Sequence, residues 1–383
     1  MKQTVQSPAG LSADEVERYR RHIVLPGVGP EGQARLKRAR VALVGVGGLG
    51  APAGLYLAAA GVGGITLVDD DRVETTNLQR QVLFGTADVG RLKVDAARDR
   101  LAGLNPGVRL EPHPVRLSAA NAMELLRGHD IVIDGADNFA THYLVNDACV
   151  MLGIPHVHGS ILRFEGQVSL FGAADGPCYR CLYPAPPAGE SADCSEAGVL
   201  GVLPGVVGSI QAAEAIKWIV QTGTPLRGRL LRVDALTMEF RELAVARDPD
   251  CPMCGANPTI RSLAGGGTCS TTNTREASSM SVPEITAKEL KRRLDAGEKL
   301  VVLDVREPHE FQAGHISELH IPMGEIPARV HELDPSHETV VYCRSGNRSA
   351  RVAEFLQSSG FDRVWNLKGG ITAWAQETGP APR

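Results

Sequence analysis

The sequence predicts two α/β domains, a larger one with a mostly parallel sheet and a smaller one. Three observations predict it. Apolar runs with strand character alternate with helical periodicities along both halves of the chain. The 383 residues exceed one average domain. A stretch rich in Gly, Ser and Thr, "SLAGGGTCSTTNTREASSMSV", interrupts all periodicity and reads as a linker over 262–282. It separates an N-terminal domain, 1–261, from a C-terminal one, 283–383. Cys269, inside the linker, reads as an incidental exposed cysteine.

Taken in order, "DEVERYRRHIVLPG" reads as a helix and an arm. "VALVG" (41–45) is a buried strand, "APAGLYLAAAG" a helix of small residues, and "ITLVD" (65–69) a second strand. "RLKVDAARDRLAGL" (91–104) is an amphipathic helix, and "DIVIDG" (130–135) a further strand. Apolar strands joined by helices imply a parallel sheet covered on both faces. "GVLGVLPGVVGSIQAAEAIKWIV" runs from a loop into a helix and reads as core and dimer interface. In the second domain "KLVVLDVR" and "TVVYC" are strands, "ARVAEFLQSSG" is a helix ending at a glycine cap, and "RVWNLKGG" is a strand and turn.

The net charge of -4 argues against a general nucleic-acid binder. No apolar run reaches membrane-spanning length, and "MKQTVQSPAG" has no signal-peptide core, so a cytoplasmic location is expected. Among eight cysteines, four form two C-x-x-C pairs, Cys178/Cys181 and Cys251/Cys254. In a reducing compartment such pairs are metal ligands or redox dithiols. Together they could close one tetrahedral Zn²⁺ site.

"GVGGLG" (45–50) follows a strand and opens a helix, the Rossmann-like dinucleotide turn, with Asp69 ending the next strand. Helix N–H groups there aim at phosphate. An NAD-dependent oxidoreductase is one reading. The charged residues that follow favour another. "DDDRVETTNLQRQ" supplies Asn77 and Arg80, Lys93 lies just beyond, and "DGADN" sets Asp134 and Asp137 at a strand end. Cations and carboxylates around one phosphate turn fit a triphosphate with Mg²⁺.

These segments, with "RYRRHIVLPGVGPEGQARLKRARVALVGVGGLGAP", "VDDDRVETTNLQRQVLF" and "DGADNFATHY", resemble the MoeB/ThiF family, bacterial relatives of ubiquitin-activating enzymes, over residues 11 to 260. The resemblance implies ATP- and Mg²⁺-dependent adenylation of the C-terminal glycine of a ubiquitin-like sulfur carrier ending in Gly-Gly. It implies nucleotide contacts from Gly48, Asp69 and the Thr76, Asn77, Leu78, Gln79, Arg80 run, with phosphates held by Asn77, Arg80 and Lys93. Asp137, with Asn138 beside it, would position Mg²⁺. An arginine from a partner's N-terminal arm, Arg21 rather than Arg20 by spacing, would complete the site in a homodimer. A tetrathiolate Zn²⁺ is likewise implied. Cys194, in "SADCSEAGVLG", is either a loop cysteine or the residue that carries thioester or acyl-disulfide chemistry in larger relatives. A non-catalytic scaffold for ubiquitin-like proteins remains a third reading of this domain.

The second domain carries "VYCRSGNRSA". Four residues separate Cys343 from Arg348, one fewer than in cysteine-dependent phosphatases, and the smaller loop suits a persulfide better than a phosphate ester. Loop N–H groups, Arg344, Arg348 and the following helix would stabilise a thiolate. With "LDVREPHEF" and "GHI", residues 283–377 resemble a rhodanese domain. That implies Cys343 as the sulfur-carrying residue, braced by Asp304 and Arg306, and loaded by a persulfide donor such as a cysteine desulfurase. The whole chain resembles the MoeB–rhodanese fusions, implying thiocarboxylate formation for molybdopterin, thiamine, cysteine or tRNA thiolation.

Overall fold

A computed structural model describes residues 10–173, 175–186, 198–263 and 282–379. The chain divides into two compact units, Met1–Cys269 and Ser270–Arg383. Among the described residues no helix is long and apolar enough to cross a membrane.

The first unit is built on an eight-stranded sheet in the order β3-β2-β1-β4-β5-β6-β7-β8. Its strands are β1 (Arg40–Val44), β2 (Gly64–Val68), β3 (Arg109–His113), β4 (Ile131–Asp134), β5 (His156–Leu162), β6 (Glu165–Phe171), β7 (Arg229–Asp234) and β8 (Glu239–Ala244). The first five pair in parallel, joined by crossovers. The last three add antiparallel, an extension absent from the sequence-based expectation. Alternation places Val41 and Leu43 of β1 in one core and Ala42 and Val44 in another, so both sheet faces are covered. The Leu203–Val220 helix packs on the Gly50–Ala60 helix, β5 and β6, so its apolar repeat is core.

β1 neighbours both β2 and β4, which makes its C-terminal end the topological switch point. Gly45 ends β1 at φ 81°, a left-handed backbone, and a Cβ there would lie 2.7 Å from the Gly135 carbonyl oxygen. A Cβ on Gly50 would strike the Gly45 carbonyl. Glycine at 45 and 50 thus lets the Gly50–Ala60 helix start directly against the ends of β1 and β4.

The second unit is a four-stranded parallel sheet, β10-β11-β12-β9, from β9 (Glu284–Ile285), β10 (Val301–Asp304), β11 (Thr339–Tyr342) and β12 (Val364–Leu367). Its core holds Leu303, Val341, Ala353, Leu356 and Val364. Cys343 follows β11, between that strand and the Asn347–Ser358 helix.

Candidate functional site

At the switch point a cleft opens over the glycine turn. Its walls include Gly48, Asp69, Arg80, Lys93 and Asp137. Asp69 accepts the Val46 N–H at 2.8 Å and the Asp71 N–H at 2.9 Å, which fixes its carboxylate beside the turn. Burial pushes its carboxyl above the ordinary value, and the nearby Lys93 ammonium partly offsets this. The buried Lys93 Nζ reaches Asp71 at 2.7 Å. Arg80 donates to the Thr76 carbonyl at 3.0 Å. Asp137 is exposed at the rim.

The remaining sequence-derived candidates lie elsewhere on a single chain. Asn77 is buried, and its Oδ1 accepts the Glu74 N–H at 3.0 Å. Gln79 packs over Gly201, and Thr76 and Leu78 flank Asn77 in the same turn without lining the cleft. Asn138 caps the Phe139–Leu152 helix by accepting the Thr141 N–H at 2.9 Å. Arg21 is exposed on the Arg20–Ile23 helix, outside the cleft walls. Cys194 and Cys269 lie outside the described residues. Asp134, which the sequence placed among the phosphate-side carboxylates, is instead fully buried. Its Oδ2 receives His142 Nδ1 at 2.7 Å and His158 Nδ1 at 3.1 Å. Hydrogen bonds from the two imidazoles hold its carboxyl far below the usual range despite burial. Its two histidines lie 8 and 24 residues from Asp134, so no local pattern in the sequence signals this cluster.

The four cysteines of the two C-x-x-C pairs converge, with all sulfurs within 4.8 Å of one another. The short contacts run between pairs, Cys181 to Cys254 at 3.4 Å and Cys178 to Cys251 at 3.6 Å, while Cys178 to Cys181 is 4.0 Å. A tetrahedron of thiolates about 2.3 Å from zinc has edges of about 3.8 Å. Cross-pair convergence is what a shared ion needs; two independent dithiols would bring partners together within each pair. Burial, and the neighbouring thiols, push the Cys178 thiol up. Burial also raises Cys251, but N–H groups of Cys254 and Met253 outweigh it and leave that thiol below its ordinary value. The cluster could hold a metal.

In the second unit Cys343 is fully buried. The Gly346 N–H donates to its Sγ at 3.2 Å, and the Ser349 hydroxyl lies 3.4 Å away. Ser349 is itself held 2.7 Å from Asn366 Oδ1 on β12. Gly346 adopts φ 100° as the N-cap of the Asn347–Ser358 helix, aiming that helix start at the sulfur. Behind the loop Arg306 makes a buried fork to Asp304, with Nη2–Oδ2 at 2.6 Å and Nε–Oδ1 at 3.0 Å. Its guanidinium lies 5.7 Å over the Tyr342 ring. Ser349, Asn366 and Glu310 were not singled out from the sequence; each depends on contacts distant in the chain.

A glycine turn ringed by cations and carboxylates, together with a cysteine held by the Gly346 N–H and the Ser349 hydroxyl, fits a nucleotide-using transferase on one chain with a sulfur-handling domain. The chain belongs to the ThiF family, which it matches over residues 19–253, and carries a rhodanese-like domain over residues 286–377. It is 44% identical over 384 residues to the probable adenylyltransferase/sulfurtransferase MoeZ of Mycobacterium tuberculosis, covering 98% of this chain and 97% of that protein. To the sulfur carrier protein adenylyltransferase of Thermus thermophilus it is 56% identical over 256 residues, 65% of this chain and 94% of the relative. The crystal structure of E. coli MccB with MccA-N7isoASN superposes with a TM-score of 0.58 at 25% identity, over 64% of this chain and 76% of that one. The chain is an adenylyltransferase and sulfurtransferase, and the oxidoreductase and scaffold readings fall away.

Proposed function

We propose that the chain adenylates the C-terminal glycine of a ubiquitin-like sulfur carrier with ATP and converts it to a thiocarboxylate with sulfur from Cys343. The supporting observation is that Arg80, Lys93, Asp69 and Asp137 meet over the glycine turn, on the same chain as the Cys343 loop. The carrier's carboxylate attacks the α-phosphorus of ATP, and pyrophosphate leaves. Gly48 and the turn N–H groups receive phosphate, Asp69 the ribose, and Arg80 and Lys93 the charge that develops on the leaving oxygens. Asn77 supports this wall from behind. Mg²⁺ fits the exposed Asp137 carboxylate and would neutralise phosphate oxygens when bound. Thr76, Leu78 and Gln79 shape the turn that carries Arg80, and Asn138 fixes the backbone next to Asp137.

In the second half-reaction the outer sulfur of a Cys343 persulfide attacks the acyl carbon, and AMP leaves. Release of the thiocarboxylate then takes a thiol that cleaves the sulfur–sulfur bond; Cys194 is the chain's own candidate, and the Cys194–Cys343 disulfide so formed is reduced by an external dithiol. A persulfide donor such as a cysteine desulfurase then reloads the Cys343 thiol. A linker over 262–282 that joins domains 1–261 and 283–383 would keep the sulfur at roughly millimolar effective concentration. Zn²⁺ on Cys178, Cys181, Cys251 and Cys254 fits the sulfur spacing and ties the "CYRC" turn to the end of the first domain. Exposed Val24, Leu25 and Val202 support a homodimer in which Arg21 enters the cleft of the second copy.

The test is mass spectrometry of the host's Gly-Gly-ending ubiquitin-fold proteins after incubation with enzyme, ATP and a persulfide donor. Replacement of one carboxyl oxygen by sulfur is expected. Unchanged masses for all of them, with no pyrophosphate released, would end the proposal.

A further inference from the structure

The buried Asp134–His142–His158 cluster stands beside the cleft and takes no part in the roles above. Asp134 ends β4, His158 lies on β5 and His142 on the Phe139–Leu152 helix, so three elements meet at one carboxylate oxygen. Asp134 and His158 are sealed, whereas His142, although nearly buried, forms part of the cleft wall with Asp137, Ser160 and Val199. An ionised carboxylate only accepts, so each imidazole bound to Asp134 carries its proton on Nδ1. His142 therefore turns its other nitrogen, Nε2, away from Asp134. Among the described residues no lysine or arginine pairs with Asp134, and a lone buried carboxylate is costly by several kcal/mol. The two Nδ1–H donors are the side-chain partners that satisfy it.

The glycine turn and Asp69 take the nucleotide side of the cleft, and Arg80 and Lys93 the phosphates. His142 and Ser160 line the same cleft and hold none of the nucleotide roles given above. The geometry points to His142 as the residue that receives the carboxylate of the acyl substrate, donating from Nε2, with Asp134 and His158 as positioning residues that fix its tautomer. This rests on the adenylation reading above. A carboxylate entering a cleft built for a triphosphate meets electrostatic repulsion; an N–H donor on the cleft wall orders it for attack on the α-phosphorus. The groups packed around His142 fit this assignment. Phe139 lies edge-on from its own helix, and His158 edge-on at 4.6 Å between ring centres. Tyr179 lies at 6.0 Å, and burial holds its phenol protonated. Asp134 bonds to His142 directly, and Asp137 lines the same cleft.

The test uses full-length enzyme and ATP–pyrophosphate exchange driven by each Gly-Gly-ending ubiquitin-fold protein of the host. His142→Gln is expected to raise the KM for the carrier about 10-fold or more, the size of a lost charge-assisted hydrogen bond, with the ATP KM within about twofold. The retained ATP KM reports an intact cleft. His142→Arg keeps an N–H donor on the cleft wall, so it should rescue the carrier KM. An unchanged carrier KM in His142→Gln, an ATP KM that rises in step with it, or a carrier KM that stays raised in His142→Arg would each overturn the assignment. Loss of exchange with every carrier in the wild type would overturn both this inference and the adenylation reading; normal wild-type exchange with any of the other outcomes overturns this inference alone.

Discussion

Arg348 is gripped by both oxygens of Glu310, at 2.7 and 2.8 Å, across 38 residues of sequence. The basic residue that closes the cysteine loop is therefore neutralised from the Pro308–Gln312 helix, and it braces the loop wall. The Gly346 N–H and the start of the Asn347–Ser358 helix then supply the positive end that faces Cys343.

This pairing predicts an acid sensitivity. The Arg348 guanidinium holds the Glu310 carboxyl down to about 2, below its ordinary 4.5. A depressed folded value contributes stability that is complete above about pH 4.5 and drains away as pH falls toward about 2. Glu310→Gln should destabilise the second unit by on the order of 2 kcal/mol at neutral pH. It should also flatten the acid limb of its unfolding curve. Denaturant midpoints of wild type and variant between about pH 6 and pH 3 check this; parallel acid limbs would remove Glu310 as the cause.

Asp137 is exposed, and among the described residues its one hydrogen bond is the long contact from Asn138 at 3.4 Å. Asp137→Ala should therefore leave thermal unfolding unchanged while lowering carrier-dependent ATP–pyrophosphate exchange by about 100-fold or more. Exchange at the wild-type rate would take Asp137 out of the reaction.

The thiol cluster makes a stoichiometric prediction. Elemental analysis should find one zinc per chain, and Cys251→Ala should abolish it and lower the unfolding temperature, since metal affinity in such sites is folding free energy. Fully active wild-type protein free of metal would refute the site.

Separation of the two half-reactions is the fourth expectation. Cys343→Ala should keep pyrophosphate exchange and lose thiocarboxylate formation from a persulfide donor. Gly370→Ala should do the same in part, because Gly370 sits at φ 59° and a Cβ would lie 2.4 Å from the Cys343 carbonyl oxygen. Undiminished thiocarboxylate yield from Cys343→Ala would refute the relay.

Local and periodic features were readable without coordinates. Val41–Val44 and Ile65–Val68 are apolar runs between glycine signals, and both are strands. Gly45 and Gly50 announced a turn that only glycine allows. Paired C-x-x-C spacing announced the sulfur cluster, although nothing local says that residues 178 and 251 meet. Less was legible where side chains answer to distant partners. β8 is exposed along its whole length, so no buried periodicity marks it as the edge of the sheet. Asp134 carries the composition of a phosphate-side carboxylate, yet the two histidines, 8 and 24 residues away, claim it. Asn77 is polar in a polar loop, and only the turn's own hydrogen bonds draw it inward.

The sealed position of Cys343 has a consequence for how cargo changes hands. A persulfide places its outer atom about 2 Å beyond Sγ. If Cys343 is the sulfur carrier proposed above, its bare thiol should react slowly with alkylating reagents, and the outer sulfur rather than Sγ would be the atom that a docking protein has to reach.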